Sequence, residues 1–241
     1  MPSTVIENEP PVPAPEPRAD VLFVHIPKTA GMSLYNSLAT WFGPSRSLRY
    51  PRSTEQFKQH FLGLPDAELR RYRLLSGHFD LPFWLQREVG DRLVVSLVRD
   101  PIERVLSAYR FTRSYPQHPR HEMVGRMSPA EYVEFCVADT VRHNAQCSRL
   151  SKGGDFESAR DMARRHVDLL GSVEQIALLT AALGERLGIT LHLDRENRSP
   201  VGYPRQSDLD QSLIAKLQSC NLEDCKLWAY VNAHGLVRGH S

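Results

Sequence analysis

Lys28, Thr29, Gly31 and Ser33 lie between an apolar run, Val21-Leu22-Phe23-Val24, and a helical pattern of apolar residues at Leu34, Leu38 and Trp41. A strand that ends in a short loop and feeds a helix leaves the first backbone N–H groups of that helix without intrahelical partners. They point outward at the positive end of the helix dipole, so a phosphate or sulfate can sit there. Lys28 adds a mobile positive charge beside them. The ATP-binding loop pattern G-x-x-x-x-G-K-[ST] needs its glycines ahead of the lysine. Here Pro27 precedes Lys28 and Gly31 follows it, so that pattern fails.

The same arrangement occurs a second time. Arg92-Leu93-Val94-Val95-Ser96-Leu97-Val98 is nearly continuous in apolar residues, as a parallel strand covered on both faces requires. Arg99-Asp100-Pro101 follow, and the proline suits the first turn of a helix reaching about Arg113. Asp100 could stand for the carboxylate that holds magnesium in ATP-dependent enzymes, but Arg99 beside it opposes a cation. His78 follows Gly77 at the end of an extended run from Tyr72, so it can project at the carboxyl edge of the sheet, where α/β ligand sites lie. The simpler readings are a surface lysine at Lys28, a helix-start charge and buried cap at Arg99 and Ser107, and a satisfied structural histidine at His78. Arg110 and Arg113, a turn apart, and Arg149 could meet an anionic acceptor or could simply be solvated. His25 lies inside the first strand and reads as structural, and His118 and His121 lack a third metal ligand.

The remaining segments position these residues. Residues 46–52, with Arg46, Arg49 and Arg52, read as a basic loop. Ser53 can cap a helix containing Phe57 and Phe61, a short helix starts at Asp66, and residues 81–89 are helix-like. In the helix after Arg99, Val105, Leu106, Tyr109 and Phe111 fall at core positions, and Ser128-Pro129-Ala130-Glu131 is a capping box. Residues 144–150 precede a Gly153-Gly154 break, 156–166 form a charged helix, and 167–170 a short strand. Residues 172–187 form a helix ended by Gly188, and 189–193 read as another strand. A polar loop, 194–207, and two helices, 209–218 and 222–232, close the chain. Strands alternating with helices predict a single α/β domain, residues 20–241, with a mostly parallel central sheet flanked by helices. Residues 1–19 are rich in Pro and Glu and predict a disordered tail.

The formal charge of +2 is uneven, since residues 1–20 hold four acids and one Arg, which leaves a body near +5. That suits an anionic ligand and is too weak to indicate nucleic acid. Of 30 basic residues 25 are Arg, the side chain that binds phosphate, sulfate and carboxylate bidentately. Genome composition would equally account for most of them. Cys136, Cys147, Cys220 and Cys225 show no metal-type spacing and read as free thiols in a reducing compartment. No apolar run is long enough to span a bilayer, and the expectation is a cytoplasmic protein.

His25-Ile26-Pro27-Lys28-Thr29-Ala30-Gly31, followed about seventy residues later by Val98-Arg99-Asp100-Pro101-Ile102-Glu103-Arg104-Val105-Leu106-Ser107-Ala108-Tyr109, resembles the two cofactor signatures of the carbohydrate sulfotransferases related to heparan sulfate 2-O- and 6-O-sulfotransferases. The resemblance implies a P-loop-nucleotide-kinase-like sulfotransferase fold. It also implies 3′-phosphoadenosine 5′-phosphosulfate (PAPS) as co-substrate, with 3′-phosphoadenosine 5′-phosphate (PAP) as product. It assigns Lys28, Thr29, Ala30, Gly31, Met32 and Ser33 to the 5′-phosphosulfate, and Arg99 and Ser107 to the 3′-phosphate. Ser76-Gly77-His78 is similar to the family's segment carrying the catalytic base, and residues 144–150 to its Asn-x-Gln segment. Met32 departs from the Thr or Ser common there, which costs a hydroxyl and keeps the backbone N–H.

The expected reaction is in-line transfer of a sulfuryl group to a hydroxyl of a carbohydrate or glycolipid. Lys28 stabilises the leaving phosphate, and His78 acts as general base, a role worth roughly 10²- to 10⁴-fold in rate. This chemistry needs no metal. The acceptor would be the partner, with no nucleic acid, and with peripheral membrane contact if it is a lipid. A Mg-ATP-dependent small-molecule kinase and a non-catalytic nucleotide-binding module are the alternatives. The missing glycine-rich loop counts against the first and His78 against the second.

Overall fold

The computed structural model of the chain describes residues 16–193 and 204–239. Five short strands, β1 (Val21–Val24), β2 (Ser47–Tyr50), β3 (Leu74–Gly77), β4 (Leu93–Val98) and β5 (Leu169–Ser172), form one sheet in the order β2-β3-β1-β4-β5, each neighbouring pair parallel. The helices of the described residues are α1 (Gly31–Phe42), α2 (Glu55–Gly63), α3 (Asp66–Leu69), α4 (Leu81–Trp84), α5 (Pro101–Ser114), α6 (His121–Gly125), α7 (Pro129–Ala138), α8 (Cys147–Leu150), α9 (Phe156–His166), α10 (Ile176–Leu187), α11 (Gln211–Cys220) and α12 (Leu222–His234).

Alternation of side chains along each strand divides the core into two layers. Val21 and Phe23 of β1, with Leu74, Val95, Leu97 and Leu169, pack against Leu34, Leu38 and Phe42 of α1 and Leu179, Leu183 and Leu187 of α10. Leu22 and Val24, with Leu75, Val94, Val98 and Leu170, face the other way, toward Phe61, Trp84, Ala159, Ala163, Leu227 and Val231. All four residues of β1 are completely buried, which explains its unbroken apolar sequence. A third apolar cluster lies outside the sheet, where Ile102, Leu106 and Tyr109 of α5 meet Tyr132 and Val133 of α7 and Leu213 and Leu217 of α11. It packs α5 on its far side while leaving its near side to the sheet edge.

Several expectations change. Residues 47–50 are a strand on the outside of the sheet, not loop; only Tyr50 is buried there. The helix expected over 81–89 ends at Trp84, which joins Tyr50, Phe61, Phe79 and Phe83 in an aromatic cluster. Residues 189–193 form no strand. Beyond β5, Leu170 bridges instead to Val237 in antiparallel fashion. Residues 1–15 and 194–203 lie outside the described residues, and with them most of the expected tail and loop. Glu16 to Ala19, read as the end of that tail, run against the body, because Arg73 gathers the Pro17 carbonyl at 2.7 Å and Glu16 at 3.3 Å.

Candidate active site

In an all-parallel sheet every strand leaves by the same edge, so the residues that follow β1, β3 and β4 come together. After β1 the chain is held by His25, whose N–H donates to the Gly77 carbonyl at 3.0 Å. The buried Thr29 hydroxyl donates to the Ile26 carbonyl at 2.8 Å and closes the turn. Lys28 (φ 72°) and Ala30 (φ 56°) both adopt the left-handed backbone region, which costs an L-residue roughly 1–2 kcal/mol. Ala30 precedes α1 and supplies no side-chain cap. The first amides of α1, through Met32 and Ser33, are therefore left for an external acceptor. Any side chain at position 31 would force the neighbouring ring to move, since a Cβ there would lie 2.1 Å from the His25 ring. That ring stacks on Phe23 at 5.3 Å and meets His78 edge-on at 4.6 Å.

Lys28 turns toward α5. Its Nζ stands 3.7 Å from the centre of the Phe111 ring. Burial, then the charges of Arg99 and Arg110, bring its pKa down to about 8. Arg99, at the end of β4, donates from one guanidinium nitrogen to the Lys28 carbonyl at 3.3 Å and pairs with Glu103 at 3.5 Å. Arg110, only 7% exposed, pairs with the same Glu103 oxygen at 3.2 Å and donates to the Pro204 carbonyl at 2.7 Å. Glu103, Ser107, Arg110 and Phe111 share one face of α5 by helical spacing, so the half-buried Ser107 stands between the residues that engage Arg99 and Lys28.

His78 follows β3, and its N–H donates to the Tyr50 carbonyl at 3.1 Å. The preceding Gly77 allows this approach, since a Cβ would lie 2.7 Å from that same carbonyl oxygen. Burial, then the positive charges of Arg149, Arg49 and Lys28, lower the His78 pKa to about 4, so the ring is neutral at pH 7. His25, still more deeply buried, is held well below its usual value by burial first and His78 second. Arg49 comes from β2, with a guanidinium nitrogen 2.7 Å from the Met32 sulfur and its carbon 5.2 Å from the Tyr35 ring centre. Arg149, on α8, is lowered by burial while Asp80 favours its charge.

The structure thus brings together Lys28, the start of α1, Arg99, Ser107 and His78, with Arg110 and Arg149 at the margins. It does not bring Arg113 there: that guanidinium donates to the Tyr109 hydroxyl at 2.5 Å and the Met127 carbonyl at 3.1 Å, on the third cluster's side. Arg46 pairs with Glu16, and Arg52 is exposed. Phe111, expected in the core, is 43% exposed beneath Lys28. Asp100 caps α5 through the Glu103 N–H at 2.9 Å, which explains its place after β4 without a cation. His121 bonds the Thr112 carbonyl at 3.0 Å. Sequence reasoning missed Glu103. Its spacing, four residues after Arg99 and seven before Arg110, was the available signal. Among the described residues no group of three or more His, Cys, Asp or Glu is placed to hold a metal.

The sequence matches the sulfotransferase family over residues 15–231. A protein-tyrosine sulfotransferase from Arabidopsis thaliana is 30% identical over 112 residues, which are 45% of this chain and 21% of the relative. The chain therefore spans about a fifth of that relative's length. A solved structure of the mouse sulfotransferase SULT7A1 complexed with PAP aligns over 85% of this chain and 64% of its own, at 14% identity and a TM-score of 0.44.

Proposed function

The chain belongs to the sulfotransferase family, and from that premise we propose that it transfers the sulfuryl group of PAPS to a hydroxyl of a carbohydrate or glycolipid. One observation carries the reading: β3, β1 and β4, side by side in the sheet, deliver His78, Lys28 and Arg99 to a single edge. An uncapped helix start beside a lysine fits the 5′-phosphosulfate, and a separate arginine with a serine hydroxyl on the same helix face as its partner Glu103 fits a 3′-phosphate. PAPS supplies the activated sulfuryl group. Lys28 offsets the charge that develops on the leaving phosphate. The neutral His78 accepts the proton of the acceptor hydroxyl. In the free protein His78 is a weak base because it is buried, first, and because Arg149, Arg49 and Lys28 lie near it, second. The donor's negative charges oppose the second cause, so donor binding raises its basicity. The resemblance to heparan sulfate 2-O- and 6-O-sulfotransferases supports the carbohydrate class, and four unpaired cysteines support a reducing, cytoplasmic setting.

The second reading is a tyrosine phenol as acceptor, favoured by the match to the plant protein-tyrosine sulfotransferase. Transfer of labelled sulfate from PAPS to oligosaccharides, glycolipid vesicles and tyrosine peptides separates the two. Label on sugar or glycolipid is the expected outcome, and label confined to peptides replaces it with the phenol. Calorimetry should show PAP binding well ahead of ADP with or without Mg²⁺. A preference for Mg-ADP would overturn the donor assignment and reinstate a kinase.

A further inference from the structure

The backbone of Arg99 is gripped from outside the sheet. Gln146, completely buried, uses both ends of its amide on this one residue: Oε1 accepts the Arg99 N–H at 2.8 Å, and Nε2 donates to the Arg99 carbonyl at 2.9 Å. A side-chain amide thereby makes the pair of bonds that another strand would make just past the end of β4. Gln146 is itself fixed from behind. Its N–H lies 3.0 Å from one oxygen of the Asp224 carboxylate and 3.1 Å from the other, and the Cys147 N–H donates to Asp224 at 2.8 Å. Asp224 lies in the first turn of α12 and is completely buried; burial raises its pKa against the opposing charge of Arg104. Asn144, at φ 46°, locks the same junction by accepting the Glu223 and Asp224 N–H groups at 3.0 and 3.3 Å.

Joining α8 to α12 does not require this. Apolar side chains of similar volume would hold two helices together without the desolvation cost of a buried carboxylate. What they could not do is fix both polar groups of a single residue at a strand end. We propose that Gln146, supported by Asp224, is a positioning residue for recognition of the donor's 3′-phosphate. It holds the Arg99 backbone so that the guanidinium keeps its place between the Lys28 carbonyl and Glu103. The inference rests on the reading that Arg99 takes that phosphate.

The test compares PAP with adenosine 5′-phosphate, which lacks the 3′-phosphate, by calorimetry on the full chain and on Arg99→Ala, Gln146→Met and the double variant. Gln146→Met keeps the volume and removes both bonds. PAP affinity should fall roughly tenfold, adenosine 5′-phosphate affinity should stay unchanged, and the double variant should bind PAP no worse than Arg99→Ala alone. A purely structural Gln146 would weaken both ligands together or neither, or would add its full effect to Arg99→Ala; each of these results overturns the inference. If Gln146→Met does not fold, the same ratio is read on Gln146→Glu, which can still accept from Arg99 N–H and cannot donate to its carbonyl. A reduced ratio supports the inference and an unchanged one overturns it. A wild-type protein with no preference for PAP overturns the donor reading and this inference with it, whereas a preference untouched by Gln146 substitution overturns the inference alone.

Discussion

Raising the pH should discharge the site long before it would discharge an ordinary lysine. Lys28 sits at about 8 instead of 10.5, because burial and then Arg99 and Arg110 penalise its ammonium form. If only that form holds the ligand, the apparent dissociation constant scales as one plus the ratio of neutral to charged Lys28. Between pH 7 and pH 9.5 PAP binding then weakens roughly thirtyfold, against about 1.1-fold for a lysine at its usual value. The phosphates of PAP are about nine-tenths ionised at pH 7 and only gain charge above it, and the arginines stay charged, so the decline belongs to Lys28. Calorimetry in buffers of different ionisation enthalpy adds a second readout: near pH 9 binding should take up close to one proton per PAP. Lys28→Arg, charged throughout, should abolish both the decline and the proton uptake. Flat affinity up to pH 9.5 would show that Lys28 does not meet the ligand or is not crowded as the structure has it. A decline that survives in Lys28→Arg would assign it to another group.

Gly31→Ala forces a methyl group to within 2.1 Å of the His25 ring, which Phe23 and His78 confine on either side. Urea denaturation should show a loss of roughly 1–3 kcal/mol, together with weakened PAP binding; a neutral substitution would refute the packing. Acid should destabilise the fold through His78 and His25, because both are held below 6.5 in the folded chain while the unfolded chain protonates normally. Their contribution is complete above pH 6.5 and is lost as pH falls; for His78 the loss runs toward pH 4 and is on the order of 3 kcal/mol. The stability difference between wild type and His78→Asn should shrink over that window, and a constant difference would count against a buried neutral ring. Arg113→Ala should cost about 1 kcal/mol in denaturation and leave PAP affinity within about twofold, since its bonds go to Tyr109 and Met127. A tenfold loss of affinity would place it in the site after all.

The parts of the fold legible in the sequence were those where one physical demand acted alone. β1 and β4 are covered on both faces, so their unbroken apolar runs announced them, and the proline and glycine of the first loop marked where the strand stops. β2 was illegible because Ser47, Leu48 and Arg49 are half-exposed at the sheet margin, and its placement depends on pairing with β3. Misreading it also hid Arg49, which reaches His78 only because residues 47–50 are extended. Phe111 defeated periodicity for a different reason: α5 has apolar positions both toward the third cluster and toward the site, and spacing cannot tell a residue under a lysine from one in a core. Arg113 and Arg110, a turn apart, looked alike in the sequence, and only the placement of Met127 and Glu103 separates their roles. Arg99 and His78 were legible because each follows its strand directly, and Lys28 because it stands in the short loop between β1 and α1, so locating the strands located them.

Lys28 carries two burdens in the free protein, a backbone at φ 72° and a charge disfavoured by burial and two neighbouring guanidinium groups. Glycine at this position would relieve both, the first because it accepts the left-handed region and the second because it has no charge to bury. Heat resistance and loss of catalysis would then arrive in one codon. A directed-evolution campaign on this chain that selects only for thermal tolerance should accordingly enrich replacements at Lys28, and one that also selects for turnover should never retain them.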